Sequence, residues 1–200
     1  MFVPAVRLRL LFVDPMSDLM PVFLTLAGRS VVLVGGGRVA AAKLQPLLSA
    51  GAEVRVVAPE IRDEIRRTPV RIDQRPFEPA DLDGAWLVVS AATPTVNRDV
   101  AHAAQERRIF VNAVDDPANA TAFLGGVVRR GGVTLAISTS GMAPALAGLL
   151  REALDAVLPR DLAAWVTEAR RQRPLWRRDG VPMENRRPLL LEALNRLYVK

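Results

Sequence analysis

VVLVGGGRVAAAKLQPLL, residues 31–48, is the stretch whose reading decides the fold. Four branched apolar residues read as a strand buried on both faces, three glycines follow, and apolar residues then recur at helical spacing. Gly35-Gly36-Gly37-Arg38-Val39-Ala40 fits G-x-G-x-x-A where strand passes into helix. Gly35 permits the tight turn, Gly37 lets the backbone approach a pyrophosphate, and Ala40 lets the helix lie close on the strand. The helix N-terminus offers unpaired N–H groups and the positive end of its dipole to phosphate oxygens. A purely structural turn could use the same residues, so the assignment depends on what surrounds them.

The surroundings repeat one unit. SVVLVG (30–35) reads as a strand, 38–51 as a helix closed by Gly51, and AEVRVVAP (52–59) as a second strand. Pro46 falls inside that helix, where a missing N–H and a ring clash predict a local kink. VRIDQRPF (70–77) alternates and reads as a third strand near a sheet edge. AWLVVSAAT (85–93) reads as a fully buried fourth strand, VNRDVAHAAQERR (96–108) as an amphipathic helix and IFVNAV (109–114) as a fifth strand. Repeated β-α-β predicts an α/β fold with a parallel sheet covered by helices.

The pattern then changes. Residues 122–141 hold two β-like segments joined by Arg129-Arg130-Gly131-Gly132, a hairpin signal. Residues 144–159 follow as a helix, with Pro144 in its first turn, Pro159 at its end, and an apolar stripe of Leu146, Leu149, Leu150, Ala153, Leu154, Val157 and Leu158. Residues 160–200 read as helical with a break around 177–188. There is no internal repeat.

Composition narrows the chemistry. The chain has no cysteine and one histidine, His102, which excludes disulfides, thiolate metal sites, a cysteine nucleophile and a multi-histidine metal centre. His102 sits on the polar side of its helix and reads as structural. The absence of cysteine suits a reducing cytoplasm, the expected location. No apolar run predicts a membrane span, and the first fifteen or so residues read as an upstream start or a disordered extension. The formal charge is +6, and residues 151–200 carry 11 basic and seven acidic side chains. That excess suits either a polyanionic partner or a solvated helical face. Nucleic acid is not expected, because there is no helix-turn-helix signature and little mixing of aromatic with basic residues.

The residue expected to hold an adenosine ribose would end the second strand, near Ala58, which has no suitable side chain. Glu60, two residues on, could reach a ribose from the loop. Arg62 or Arg66 would instead favour a phosphorylated ribose. The balance leans to NAD.

Together MPVFLTLAGRSVVLVGGGRVAAAK (20–43), VVAPE (56–60), RPFEPADLDGAWLVVSAAT (75–93), NAVDDP (112–117) and AISTSGMAPALAGLLRE (136–152) resemble the precorrin-2 dehydrogenase module of sirohaem synthesis, which also forms the N-terminus of sirohaem synthases. The resemblance runs from about Met20 to Pro159. It implies a Rossmann-like parallel sheet, a small β-containing dimerisation segment and a C-terminal helical domain. The corresponding division is residues 1–19 as an extension, 20–121 for NAD, 122–158 for dimerisation and 159–200 as the helical domain. It implies NAD-dependent oxidation of precorrin-2 to sirohydrochlorin by a homodimer. Some members also insert ferrous iron, through the macrocycle and the same aspartate. NAD contacts in the family match Arg38, Val39, Pro59 and Glu60, and a key aspartate matches Asp115.

Other candidates join these. Ala92 and Thr93 end the fourth strand, on the cofactor side. Asn112 would orient nicotinamide or substrate, or cap the strand end. Ser138, Thr139, Ser140 and Gly141 precede a helix, so their hydroxyl and N–H groups could receive a substrate carboxylate or simply cap that helix. Asp116 before Pro117 reads as an N-cap. Trp86, Trp165 and Trp176 read as core in preference to a lid over the tetrapyrrole. The competing functional reading is a non-catalytic NAD(H)-binding regulator on the same sheet.

Overall fold

The computed structural model describes residues 19–198, so the expected extension at residues 1–15 lies outside the described residues. Five parallel strands form one sheet: β1 (Ser30–Val34), β2 (Glu53–Val57), β3 (Arg71–Asp73), β4 (Leu87–Ser90) and β5 (Phe110–Ala113), in the order β3-β2-β1-β4-β5. The chain runs outward from β1 to β3, then crosses back to β4. The strand order therefore reverses between β1 and β4, which opens a crevice at their C-terminal ends.

The apolar run of β1 is explained by burial on two faces. Val31 and Leu33 pack with Ala40, Leu44 and Leu47 of helix α1 (Arg38–Ser49). Val32 and Val34 face the other way and pack with Val100 and Ala104 of helix α3 (Pro94–Glu106). A short helix, α2 (Asp63–Arg66), follows β2 and buries Ile65. A strand covered by helices on both sides has no polar face to alternate, so it reads as a continuous hydrophobic run.

Helix α1 ends one residue before its cap. Gly51, at φ +74°, donates to the Leu48 carbonyl, and Ala52 donates to the Leu47 carbonyl. These two bonds form a Schellman motif, with glycine in its left-handed position. The helix runs on through Pro46. Pro46 and Ala42, whose carbonyl loses its partner, are both exposed, so water can hydrate the orphaned oxygen. Helices α5 (Leu162–Arg178) and α6 (Met183–Asn195) carry Pro174 and Pro188 in the same way. Arg170 and Glu184, four residues earlier, are exposed like the prolines. The break expected over 177–188 is thus confined to residues 179–182.

The second sheet is the expected hairpin, β6 (Gly126–Arg130) against β7 (Val133–Ile137). Gly131 and Gly132 make its two-residue turn with φ +55° and +84°, a conformation that matches the twist of the strands. Helix α4 (Pro144–Val157) lies along β6, where Ala147 is its buried residue. Its leucine stripe is largely uncovered: Leu149 is 65% and Val157 73% exposed.

The tryptophans do not form core. Trp86 is 54% exposed and stacks under the Arg29 guanidinium at 3.8 Å, at the N-terminal end of the sheet. Trp165 and Trp176 are half-buried on α5, and the Trp165 indole N–H donates to the Tyr198 hydroxyl. Among the described residues no helix is long and apolar enough to cross a membrane.

A buried carboxylate anchors the edge strand. Asp81 is 2% exposed and accepts from Arg75 through both oxygens, at 2.5 and 2.9 Å, and from the Glu78 N–H at 2.9 Å. Arg55 of β2 donates to the Asp81 carbonyl and also pairs with Asp73 of β3. Burial alone would raise the Asp81 pKa. The hydrogen bonds from Arg75 and Glu78 and the charges of Arg75 and Arg55 outweigh it, holding the carboxyl below its usual range. Its contribution is therefore complete above the ordinary aspartate pKa of about 3.9 and is lost as pH falls through the lower folded value. Asp81→Asn should destabilise the protein by about 1–3 kcal/mol at pH 7 in urea unfolding. The gap to the parent should narrow below roughly pH 4.

Candidate cofactor and substrate site

The glycine loop is wedged between the ends of two neighbouring strands. Gly35 has φ +121° and donates to the Val57 carbonyl at 2.9 Å; a Cβ there would lie 2.4 Å from the Ala91 carbonyl oxygen. Gly36 is equally constrained, since a Cβ would lie 1.9 Å from the Glu60 carbonyl oxygen. Its own carbonyl accepts from the Arg62 N–H at 3.0 Å. Gly37 differs: as N-cap of α1 it has φ −84°, and a Cβ would meet nothing within 4 Å. Packing thus fixes two glycines, while the third leaves open space over a helix N-terminus. The first turn of α1 holds no acidic residue, and Arg38 and Val39 are exposed beside it. The residues present fit a dinucleotide pyrophosphate at this point. Ala40, fully buried, gives the close helix–strand contact expected of it.

At the ribose end, Pro59 and Glu60 are exposed just after β2. Arg62 is held by Glu64 at 2.6 Å, and hydrogen bonding and charge from that arginine lower the Glu64 pKa. Arg66 donates to the Ile61 carbonyl and, at 2.7 Å, to Gln74, whose amide in turn donates to the Pro59 carbonyl.

Two clefts open beside the loop. The first, about 430 Å³, lies between Val39, Ala92, Pro94, Arg98 and the turn after β5. Asn97, 2% exposed, shapes it: its Oδ1 accepts from the Ser90 hydroxyl at 2.6 Å and the Ala92 N–H at 3.3 Å. Thr93 is the N-cap of α3 and lies outside the set that lines either cleft. The second, about 270 Å³, lies between the turn after β5, the start of α4 and the hairpin, with Lys43, Asn112, Ser138, Thr139 and Gly141 in its walls. Ser140 is not among its lining residues.

Val114, Asp115 and Asp116 belong to both clefts. Asp115 is exposed and holds φ +57°, a left-handed conformation that costs a non-glycine residue about 1 kcal/mol or more. Asp116 caps the 3-10 turn Pro117–Asn119, as expected, although its carboxylate accepts from the Asn119 side chain at 2.9 Å and not from backbone. Asn112 is buried. It donates to the Ala122 carbonyl at 2.9 Å, and its Oδ1 has no partner among the described residues. Both polar contacts of the serine segment are local. Thr139 Oγ1 accepts from the Ala143 N–H ahead of α4, while Ser138 Oγ accepts from the Ser140 N–H at the rim. Ser140 shares the strained left-handed backbone, at φ +54°.

A family model described as "Putative NAD(P)-binding" matches residues 22–126, and one described as "Sirohaem biosynthesis protein central" matches residues 130–156. The chain belongs to the precorrin-2 dehydrogenase family of sirohaem synthesis. It is 39% identical to a "Siroheme synthase" of Photorhabdus laumondii subsp. laumondii over 89% of its own length and 39% of that protein's. It is 42% identical to "Siroheme synthase 3" of Aeromonas hydrophila subsp. hydrophila over 74% of its length and 32% of that protein's. The chain therefore spans about two fifths or less of the curated relatives it matches. Among solved structures it is similar to "SirC, precorrin-2 dehydrogenase", with TM-score 0.68 and 28% identity over 87% of this chain and 88% of that one.

Sequence reading missed Gly36, Asn97, Lys43 and Arg98. Asn97 left a signal, because it falls on the buried stripe with Val100 and Ala104 where an apolar residue belongs. Gly36 left none, since its constraint comes from a loop 24 residues on in the chain. No arginine lines the second cleft, whose one lining cation is Lys43.

The glycines separate by experiment. Gly36→Ala should lower stability by about 1–3 kcal/mol, because the Glu60 carbonyl must move. Gly37→Ala should melt near the parent temperature yet bind NADH about tenfold or more weakly, as its methyl occupies the phosphate space. Thermal melting and NADH fluorescence titration read the two effects.

Proposed function

We propose that the chain carries out NAD-dependent oxidation of precorrin-2 to sirohydrochlorin. The observation that carries this reading is Asp115 in the wall shared by the two clefts: one follows the dinucleotide loop, the other is lined by residues from 112–117 and 138–148. Family membership and the likeness to a precorrin-2 dehydrogenase structure support it.

The oxidation removes a hydride and a proton from the macrocycle. Bound NAD supplies the hydride acceptor. The protein's part is to place the substrate against the first cleft and to take the proton. Asp115 is the base in this scheme: it is exposed to both clefts, and its backbone is held in a sparsely populated conformation by the turn that presents it. Gly35, Gly37, Arg38 and Val39 would hold the pyrophosphate, and Pro59 and Glu60 the adenosine ribose. Ala92 and the Thr93 turn would border the nicotinamide. Asn112, Ser138 and Gly141 would border the tetrapyrrole, with Ser140 acting through the backbone of the same turn.

NAD is favoured over NADP because Arg62 and Arg66, the side chains available for a 2′-phosphate, are already engaged by Glu64 and Gln74. Insertion of ferrous iron into sirohydrochlorin would use the same cleft and the same carboxylate to remove pyrrole protons. Among the described residues there is no separate group of metal ligands.

The uncovered stripe of α4 supports a homodimer. Leu146, Leu149, Leu150 and Val157 form an exposed apolar face on the segment matched by the sirohaem central model. In this reading residues 20–121 bind the dinucleotide, 122–158 dimerise and 159–200 form the helical domain.

Asp115→Ala should abolish NADH formation from precorrin-2 under anaerobic conditions while NADH binding persists; undiminished turnover would remove the base from the scheme. NADP in place of NAD should raise KM, and iron added to sirohydrochlorin without NAD tests the second activity. Leu149→Arg should shift the sedimentation coefficient from dimer to monomer without unfolding the parallel sheet.

A further inference from the structure

Lys43 is the one cation among the residues lining the second cleft and the one lysine among the described residues. It stands on α1 one turn after Val39, beside Leu44 of the buried stripe, and is half-buried. Three arginines around the sheet are engaged, Arg55 by Asp73, Arg75 by Asp81 and Arg107 by Asp83, while Arg38 and Arg98 near the first cleft are exposed to water. Lys43 takes part in no ion pair among the described residues, although Asp115 and Asp116 line the same cleft. A partly buried ammonium has lost some of its water, and a ligand anion would replace it.

A second observation in the same cleft is independent of charge. The Asn112 Oδ1 is buried and without a partner among the described residues, which is unfavourable for a polar atom removed from water. The cleft therefore has one unmet demand that a ligand can reach, an ammonium for an anion, while the Asn112 Oδ1 has no accessible surface. A ligand that meets this demand carries carboxylate on its periphery.

We propose that Lys43 anchors a peripheral carboxylate of the tetrapyrrole and so sets which edge of the macrocycle meets Asp115. The inference rests on the function proposed above and makes Lys43 a positioning residue. An ammonium on a flexible stem suits this role, since it can follow an acetate or propionate arm through several orientations.

The test uses the full chain and its Lys43→Met, Lys43→Arg and Lys43→Glu variants. Anaerobic fluorescence titration gives the affinity for sirohydrochlorin, NADH titration checks the fold of α1, and steady-state kinetics give kcat and KM for precorrin-2. Lys43→Met should weaken sirohydrochlorin binding about ten- to a hundredfold, raise KM more than it lowers kcat, and leave NADH affinity within about twofold. Lys43→Arg should recover most of the loss, and Lys43→Glu should bind more weakly than Met. The fully esterified tetrapyrrole should not distinguish parent from Met. Parent-like sirohydrochlorin affinity in the Met and Glu variants, with NADH binding intact, overturns the assignment of Lys43 alone. A parent that binds NADH but not sirohydrochlorin overturns the proposed function and Lys43 with it.

Discussion

The site depends on a steric constraint: the loop after β1 has no room for a Cβ at two successive positions. Gly35 sits against the Ala91 carbonyl and Gly36 against the Glu60 carbonyl. These contacts pull the C-terminal ends of β4 and β2 onto the same loop. The strand reversal between β1 and β4 then has a floor, and the N-terminus of α1 is aimed across it. With larger residues the loop would rise, and the first cleft would lose its base. The open space at Gly37 matters only because its two neighbours are clamped.

The parallel sheet was legible because its determinants are local. Two-faced burial writes itself as an unbroken apolar run, and a helix closed by glycine writes itself as Gly51. At Pro46 the helix continues, with the proline and the Ala42 carbonyl both facing water, so the lost hydrogen bond leaves no buried orphan. The tryptophans misled because apolar bulk is not position. Trp86 precedes β4 at the end of the sheet remote from the site, where an arginine covers one face.

The site itself was half legible. Asp115 could be named from its motif and its place after the last parallel strand. Its left-handed backbone, which is what makes it project, has no signature in sequence. The second cleft was less accessible still. It joins residue 43, the 112–117 turn and the 138–148 segment, so no short window contains it. Asn112 illustrates the difference. Its sequence position suggests a strand cap, but the structure shows an amide with one end spent on Ala122 and the other unpaired.

The late basic excess suits a polyanionic partner or a solvated helical face. In the fold four of the late arginines pair with nearby acids: Arg151 with Glu152, Arg171 with Glu168, Arg178 with Asp179 and Arg196 with Glu192. Hydrogen bonds from Arg171 and Gln172 lower the Glu168 pKa, as expected of a carboxylate already committed to its own helix. A guanidinium so engaged must break a contact before it can bind an anion, and an exposed one gains little by doing so. A cation that is partly desolvated and uncommitted avoids that cost. Lys43 meets both conditions, on the same helix whose N-terminus serves the cofactor loop, so one element of the fold would position both reactants.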